Sequence, residues 1–250
     1  MSKQLISTSF LLLALSLLHR IAIADEHKVI NVHNDLRYIA TNNLNKEIAS
    51  SALTTKKHLY GLGMPKGLNK EIVVIDSQVY SSGFEEFQYA TQKQHVDAGE
   101  QQFDFLVYAH IPRWRDIAVP ESVVSFEQFQ VFLEKQLQMH NIDTETGSMF
   151  QLLTEVEELH WFVVGGMGNL SPDPLSSFLR QKVKGGLNRR AIHAVGAFTQ
   201  AYAGRATAGQ NHVHMHFVTT DELPRFVGHI DNQMRLRRGA VLKLPLIPSQ

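Results

Sequence analysis

The chain has 250 residues, with 24 Lys and Arg against 24 Asp and Glu, and no cysteine. That balance gives no electrostatic case for nucleic acid or an anionic membrane surface as a partner. The absence of thiols excludes disulfides and thiolate zinc sites, so any metal must be held by nitrogen and oxygen.

The N-terminus reads as a targeting segment. Lys3 is followed by the apolar run Phe10 to Leu18, and Ala22-Ile23-Ala24 forms an A-x-A pattern before Asp25. A spanning helix needs roughly 20 apolar residues, and His19-Arg20 interrupt this run. The expectation is a signal peptide over 1–24, cleaved after Ala24, and a secreted or periplasmic protein with no membrane contact thereafter. Cleavage leaves 250 − 24 = 226 residues and, without Lys3 and Arg20, 24 − 2 = 22 basic against 24 acidic side chains. That length supports a sizeable core, as one large domain or two fused sub-domains. With no disulfides, stability must come from the core, a bound ion or association, and a homodimer is one form that association could take.

Lys28 to Leu53 is mixed and polar, with Asn42-Asn43 as a turn signal. His58-Leu-Tyr-Gly-Leu-Gly-Met-Pro reads as a glycine-containing loop. Glu71 to Ile75 reads as a buried strand, Asp76-Ser77 as a turn and Gln78 onward as the return strand of a hairpin. Phe103 to Ile111 is a further strand. Ser125 caps the clearest helix, with Gln128 at the capping-box position. Phe126, Phe129, Phe132, Leu133 and Leu137 recur at helical spacing and form its apolar face.

Two strands are expected at Phe150 to Val156 and His160 to Val164. Gly165-Gly166 and Ser171-Pro-Asp-Pro break the pattern. Arg190 to Phe198, Asn211 to Thr219 and Ala240 to Leu246 read as strands. No regular β-α-β alternation is present. The expected fold is therefore α/β in content, a mixed α+β arrangement of two fused sub-domains on mixed or antiparallel sheets with few helices. Polar Asn141 to Ser148 separates an N-terminal half (25–147) from a β-rich C-terminal half (148–250).

The densest chemistry lies in Asn211-His-Val-His-Met-His-Phe217, followed by His229. On a strand, alternate residues share a face, so His212, His214 and His216 would point one way and Val213, Met215 and Phe217 the other. Two imidazoles from one strand can ligate one ion. His229, past the loop Thr220 to Gly228, is the natural third, leaving a position for water or substrate. Four histidines compete for about three places. Neutral imidazole suits several transition metals, and Zn2+ is the leading expectation. Asp221 and Asp231 flank the ligands as acceptors for their second ring nitrogens or, equally, as turn and surface residues.

The run His214-Met-His216-Phe-Val-Thr-Thr-Asp221 with Gly228-His229-Ile230-Asp231 resembles the zinc-binding segment of the α-acetolactate decarboxylases. Upstream, Leu59-Tyr-Gly-Leu-Gly63 and Gly67-Leu-Asn-Lys-Glu71-Ile-Val-Val-Ile-Asp76 are similar to that family's G-L-G-T and L-D-G-E strand entry. Gln102-Phe-Asp-Phe-Leu-Val-Tyr108 and Val195-Gly-Ala-Phe-Thr-Gln-Ala-Tyr202 also have counterparts. The resemblance implies His214, His216 and His229 as ligands, with His212 one step outside the motif, and Glu71 as a catalytic carboxylate facing the metal. It implies decarboxylation of a small 2-hydroxy-3-oxo acid, 2-acetolactate, to acetoin.

Three departures stand out. Met64 replaces the family's Thr. No single arginine in Gly165 to Lys184 aligns with the family's, Arg180 being a candidate. No acid follows Asp231, where the family has a glutamate near the C-terminus. Three other readings stay open: a non-catalytic exported zinc-binding protein on the same fold, a zinc hydrolase, and an exported interaction module with no metal. Against the hydrolase, there is no H-E-x-x-H helix.

Overall fold

The computed structural model describes residues 30–37, 48–49, 57–83, 95–96, 102–165, 182–207, 210–221 and 225–246. The expected signal peptide (1–24), Asn42-Asn43, Ser171-Pro-Asp-Pro and Arg180 lie outside the described residues. No helix among the described residues is long and apolar enough to cross a membrane.

The first sheet contains β1 (Asn31–His33), β2 (Ile48–Ala49), β3 (Leu59–Pro65), β4 (Lys70–Ile75), β5 (Gln78–Gly83), β6 (His95–Val96) and β7 (Gln102–His110). Its order is β1-β7-β3-β4-β5-β6, with β2 also on β7, and every pairing is antiparallel. The expected hairpin is β4–β5. Asp76 and Ser77 both take positive φ, 47° and 69°, the geometry that lets a two-residue turn follow the twist of its strands.

His58 to Pro65 is a buried strand for all but its first residue, not the expected loop. Its glycines serve contact rather than turning. A Cβ on Gly63 would lie 2.2 Å from the Phe105 carbonyl oxygen, and one on Gly61 2.9 Å from that of Val107. Bare backbone lets β3 lie closer to β7 than side chains would permit.

The second sheet contains β8 (Trp114–Ala118), β9 (Ser148–Val164), β10 (Lys182–Phe198), β11 (Val213–Thr219), β12 (Val227–Leu236) and β13 (Val241–Pro245). The two strands expected at Phe150 to Val164 are one, β9, paired with β10 from Ser148↔Phe198 to Val164↔Lys182. On its other edge β9 carries β12 and β13. Since β10 pairs β11 and β11 pairs β12, the four strands β9, β10, β11 and β12 close a ring of ladders.

The helix α1 (Phe126–Met139) forms as its sequence dictates. Ser125 and Gln128 make a reciprocal capping box, and Phe126, Phe129, Leu133 and Leu137 are buried. They pack with Phe150, Leu152, Val156, Met215 and Phe217 on one side of the second sheet. A second core lies between the sheets, where Leu62, Val73, Phe105 and Val107 meet Met149, Phe162, Val195, Val218 and Val227. The chain crosses from one sheet to the other at residues 111–113, and β8 and α1 pack with the second sheet.

His193 on β10 meets Gln151 at 2.6 Å. Burial, and then the charge of Lys243, hold its imidazole down at about 4. Such a group stays neutral in the fold while the unfolded chain takes up a proton, so its contribution to stability is lost as pH falls from about 6.5 toward 4. Urea unfolding of the metal-free protein is expected to show stability falling across that window, with a shallower fall in His193→Gln.

Candidate metal centre

The face of β11 opposite Met215 and Phe217 looks toward the first sheet, and it carries His214 and His216. Both are buried, 5% and 1% exposed. β12 brings the third histidine, since His229 stands directly across the ladder from His216. Gly228 keeps that approach tight, because a Cβ there would meet the Phe217 ring at 3.0 Å. His212 does not join them. It precedes β11, and its ring packs edge-on against Phe198. The shared face expected of three alternate histidines therefore holds only for His214 and His216.

The second ring nitrogens are fixed by backbone. Nδ1 of His214 donates to the Ala206 carbonyl at 2.7 Å, and Nδ1 of His216 to the Ile72 carbonyl at 2.9 Å. A carbonyl can only accept, so these nitrogens carry the protons and each Nε2 presents a lone pair. Nε2 of His214 lies 3.0 Å from Nε2 of His216, and Nδ1 of His229 lies 3.2 Å from both. Protonation would relieve the crowding, but burial opposes it. Burial holds His214 at about 4 and, with the neighbouring imidazoles, keeps His216 and His229 well below the usual range.

The donor set fits a cation. A tetrahedral ion about 2.0–2.1 Å from each nitrogen places ligand nitrogens about 3.3–3.4 Å apart, a few tenths of an ångström wider than the spacing found. Among the described residues, these three form the one such cluster of potential ligands. The acceptors of the second nitrogens of His214 and His216 are backbone carbonyls rather than the aspartates. Asp221 binds Arg190 and the Ala191 N–H, and Asp231 pairs with Lys184 at 3.3 Å.

Glu71 on β4 is 1% exposed. One carboxylate oxygen accepts from the Val164 N–H at 3.2 Å, and the other lies 3.3 Å from Nε2 of His216. Burial pushes its carboxyl up to about 8, against the opposing pull of the Val164 N–H and Lys182. A bound cation would favour its ionised form.

Lys182, which the sequence reading did not single out, sits at the same place. Its ammonium lies 3.8 Å from the centre of the Phe162 ring, and that ring stacks on His229 at 4.1 Å. Its charge acts on both Glu71 and His229. The signal was its position at the start of a strand paired with Val164, the residue that binds Glu71.

The α-acetolactate decarboxylase family model matches residues 33–242. This chain belongs to the α-acetolactate decarboxylase family. It is accordingly a carbon–carbon lyase of the carboxy-lyase type, with a small-molecule substrate. No curated protein matches the sequence. Among solved structures, it resembles the α-acetolactate decarboxylase of Bacillus subtilis strain 168, with a TM-score of 0.67, 13% identity, and coverage of 87% of this chain and 86% of that one. A Staphylococcus aureus protein of unknown function, described as similar to α-acetolactate decarboxylase, matches with the same TM-score and identity, over 88% of this chain and 86% of its own. The acetolactate decarboxylase of Bacillus subtilis subspecies spizizenii gives 0.67 and 13%, over 86% and 85%. At that identity these structures establish a shared fold, and the family match is what carries membership.

Metal titration separates the four histidines. The native chain is expected to take up one divalent ion per chain by isothermal calorimetry. His214→Ala should abolish that uptake, and His212→Ala should leave the stoichiometry unchanged.

Proposed function

We propose that this protein decarboxylates 2-acetolactate to acetoin, using a divalent ion, Zn2+ in the first instance, held by His214, His216 and His229. The observation that carries the reading is the convergence of three neutral imidazole nitrogens beside a buried carboxylate, in a chain of this family. The ion would supply Lewis-acid stabilisation for the oxygens of the hydroxy-ketone.

The chain's own groups do the rest. In the reaction the bond between the carboxylate carbon and the hydroxyl-bearing carbon breaks. Carbon dioxide leaves, and the electron pair delocalises toward the neighbouring ketone oxygen. Protonated Glu71 then delivers a proton to the carbon that lost the carboxylate, giving acetoin, and regains its own from solvent. Its burial raises its proton affinity, so that beside the ion it can still take a proton from solvent and pass it on. The Lys182 ammonium, steadied on the Phe162 ring, receives the negative carboxylate of the incoming substrate. Phe105 and Phe162 pack against the ligand rings and keep water from the reacting carbon.

A second reading has one feature in its favour: Met64 stands where the resemblance to the family implies a Thr. On that reading the protein is an exported zinc-binding protein without turnover. Export itself, with cleavage after Ala24, belongs to both readings and is tested by the N-terminal sequence of the mature protein.

Acetoin release from racemic 2-acetolactate by the zinc-loaded chain, with His214→Ala as control, decides between them. Acetoin above the control supports the decarboxylase, and bound zinc without acetoin supports the second reading. Glu71→Gln is expected to lower kcat by about 100- to 10,000-fold, and a change of only a few-fold would remove Glu71 from this role. Lys182→Met should raise KM more than it lowers kcat, since its contact is made with the substrate's existing charge.

A further inference from the structure

Residues 30–37 connect the two sheets at the metal centre. β1 pairs with β7 of the first sheet, and the Asn34 side chain donates to the Asp104 carbonyl at 2.7 Å. Asp35 follows, with its carboxylate buried at 3% exposure. Arg37 donates to it through Nε at 3.1 and 3.0 Å, through Nη2 at 2.6 Å and through its backbone N–H at 2.9 Å. The fifth hydrogen bond comes from the loop after β10: Nε of Arg205 donates at 2.7 Å. The Leu36 N–H also donates to the Arg205 carbonyl at 2.9 Å.

The next residue along that loop is Ala206. Its carbonyl is the acceptor that fixes the Nδ1 proton of His214. The peptide presenting this carbonyl is thus held from outside its own sheet, by an ion pair and a backbone bond to the N-terminal segment. Burial alone would push the Asp35 carboxyl up, but its bonds to Arg37 and Arg205 outweigh that and keep it below the ordinary carboxylate range.

We propose that Asp35, acting through Arg205, is a positioning residue for the metal centre: it holds the Ala206 carbonyl against Nδ1 of His214 and so sets that ligand's tautomer and ring orientation. This rests on the reading of the triad as a metal site, and it extends that site to a residue far away in sequence. Without the clamp, residues 205–206 lose their tie to the first sheet, and His214 loses the fixed acceptor that aims its Nε2. Outer-sphere partners of metal-bound histidines are worth about 10- to 100-fold in affinity. An effect relayed through a neighbouring peptide belongs near the lower end.

The test uses the full chain, stripped with chelator and reloaded with Co2+ as a spectroscopic probe. Arg205→Gln is the first variant, because it leaves Asp35 still held by Arg37. The expected result is an approximately tenfold weaker Co2+ affinity and altered visible absorption bands, with the metal-free Tm close to that of the native chain. Arg205→Lys, which can still donate to Asp35, should recover part of both. Asp35→Asn should show the same spectral change, and if it fails to fold, the Arg205 pair decides alone. Bound Co2+ with native affinity and bands in Arg205→Gln overturns this inference and leaves the metal reading intact. A lowered Tm with unchanged bands overturns it too, since that is the mark of a purely structural tie. A native chain that takes up no Co2+ overturns the metal reading and this inference together.

Discussion

Three imidazole lone pairs and one carboxylate meet in a place from which water is largely withheld, and that confrontation organises the surrounding structure. Buried polar groups are costly unless each finds a partner. Here the partners of the outer nitrogens come from opposite sides: the Ile72 carbonyl from the first sheet and the Ala206 carbonyl from a loop of the second. Among the described residues the inner nitrogens face each other and the Glu71 carboxyl, a set of lone pairs that a positive ion would satisfy together. Glu71 faces the same point from β4, tied to the end of β9 through Val164. The two sheets are therefore held together by an apolar core that also contains their most polar junction.

The arrangement explains why the site sits between the sheets rather than on a loop. β11 is buried on both faces, with Met215 and Phe217 toward α1 and the histidines toward β4 and β7. A strand in that position gives its side chains little freedom, and the rings of Phe105 and Phe162 limit them further. Imidazoles so constrained hold their geometry in advance, which would lower the reorganisation that binding an ion requires.

Much of this was legible in the chain. The alternation of His214 and His216 needs only the two-residue period of a strand, and the α1 cap and stripe need only local spacing. The resemblance to the acetolactate decarboxylases supplied Glu71 and the choice of His229. Other parts were not local. His212 continues the alternation on paper, but β11 begins at Val213, so its ring turns to Phe198 instead. β9 looked like two strands because its buried positions change phase between Val156 and Leu159. The ladder to β10 keeps its register there, although Arg189, at a positive φ of 50°, and Glu157 do not pair, while the register to β12 shifts between Ile230 and Met234. β3 looked like a loop because glycine in sequence signals freedom and here provides close contact. Lys182 and Asp35 reach the site only through pairings across the fold, and no spacing rule marks them.

The closed ring of β9, β10, β11 and β12 bears on time as well as on place. Every ladder of the ring is shared, so β11, which carries His214 and His216, cannot peel away without breaking hydrogen bonds on both its edges. Local opening draws on elements with few buried contacts and a free edge, and this strand has neither. Exchange of an ion held on it is then governed by opening of a large part of the domain rather than by fraying of one segment. An ion held there would then exchange slowly, over the course of a chelator treatment rather than within the time of mixing.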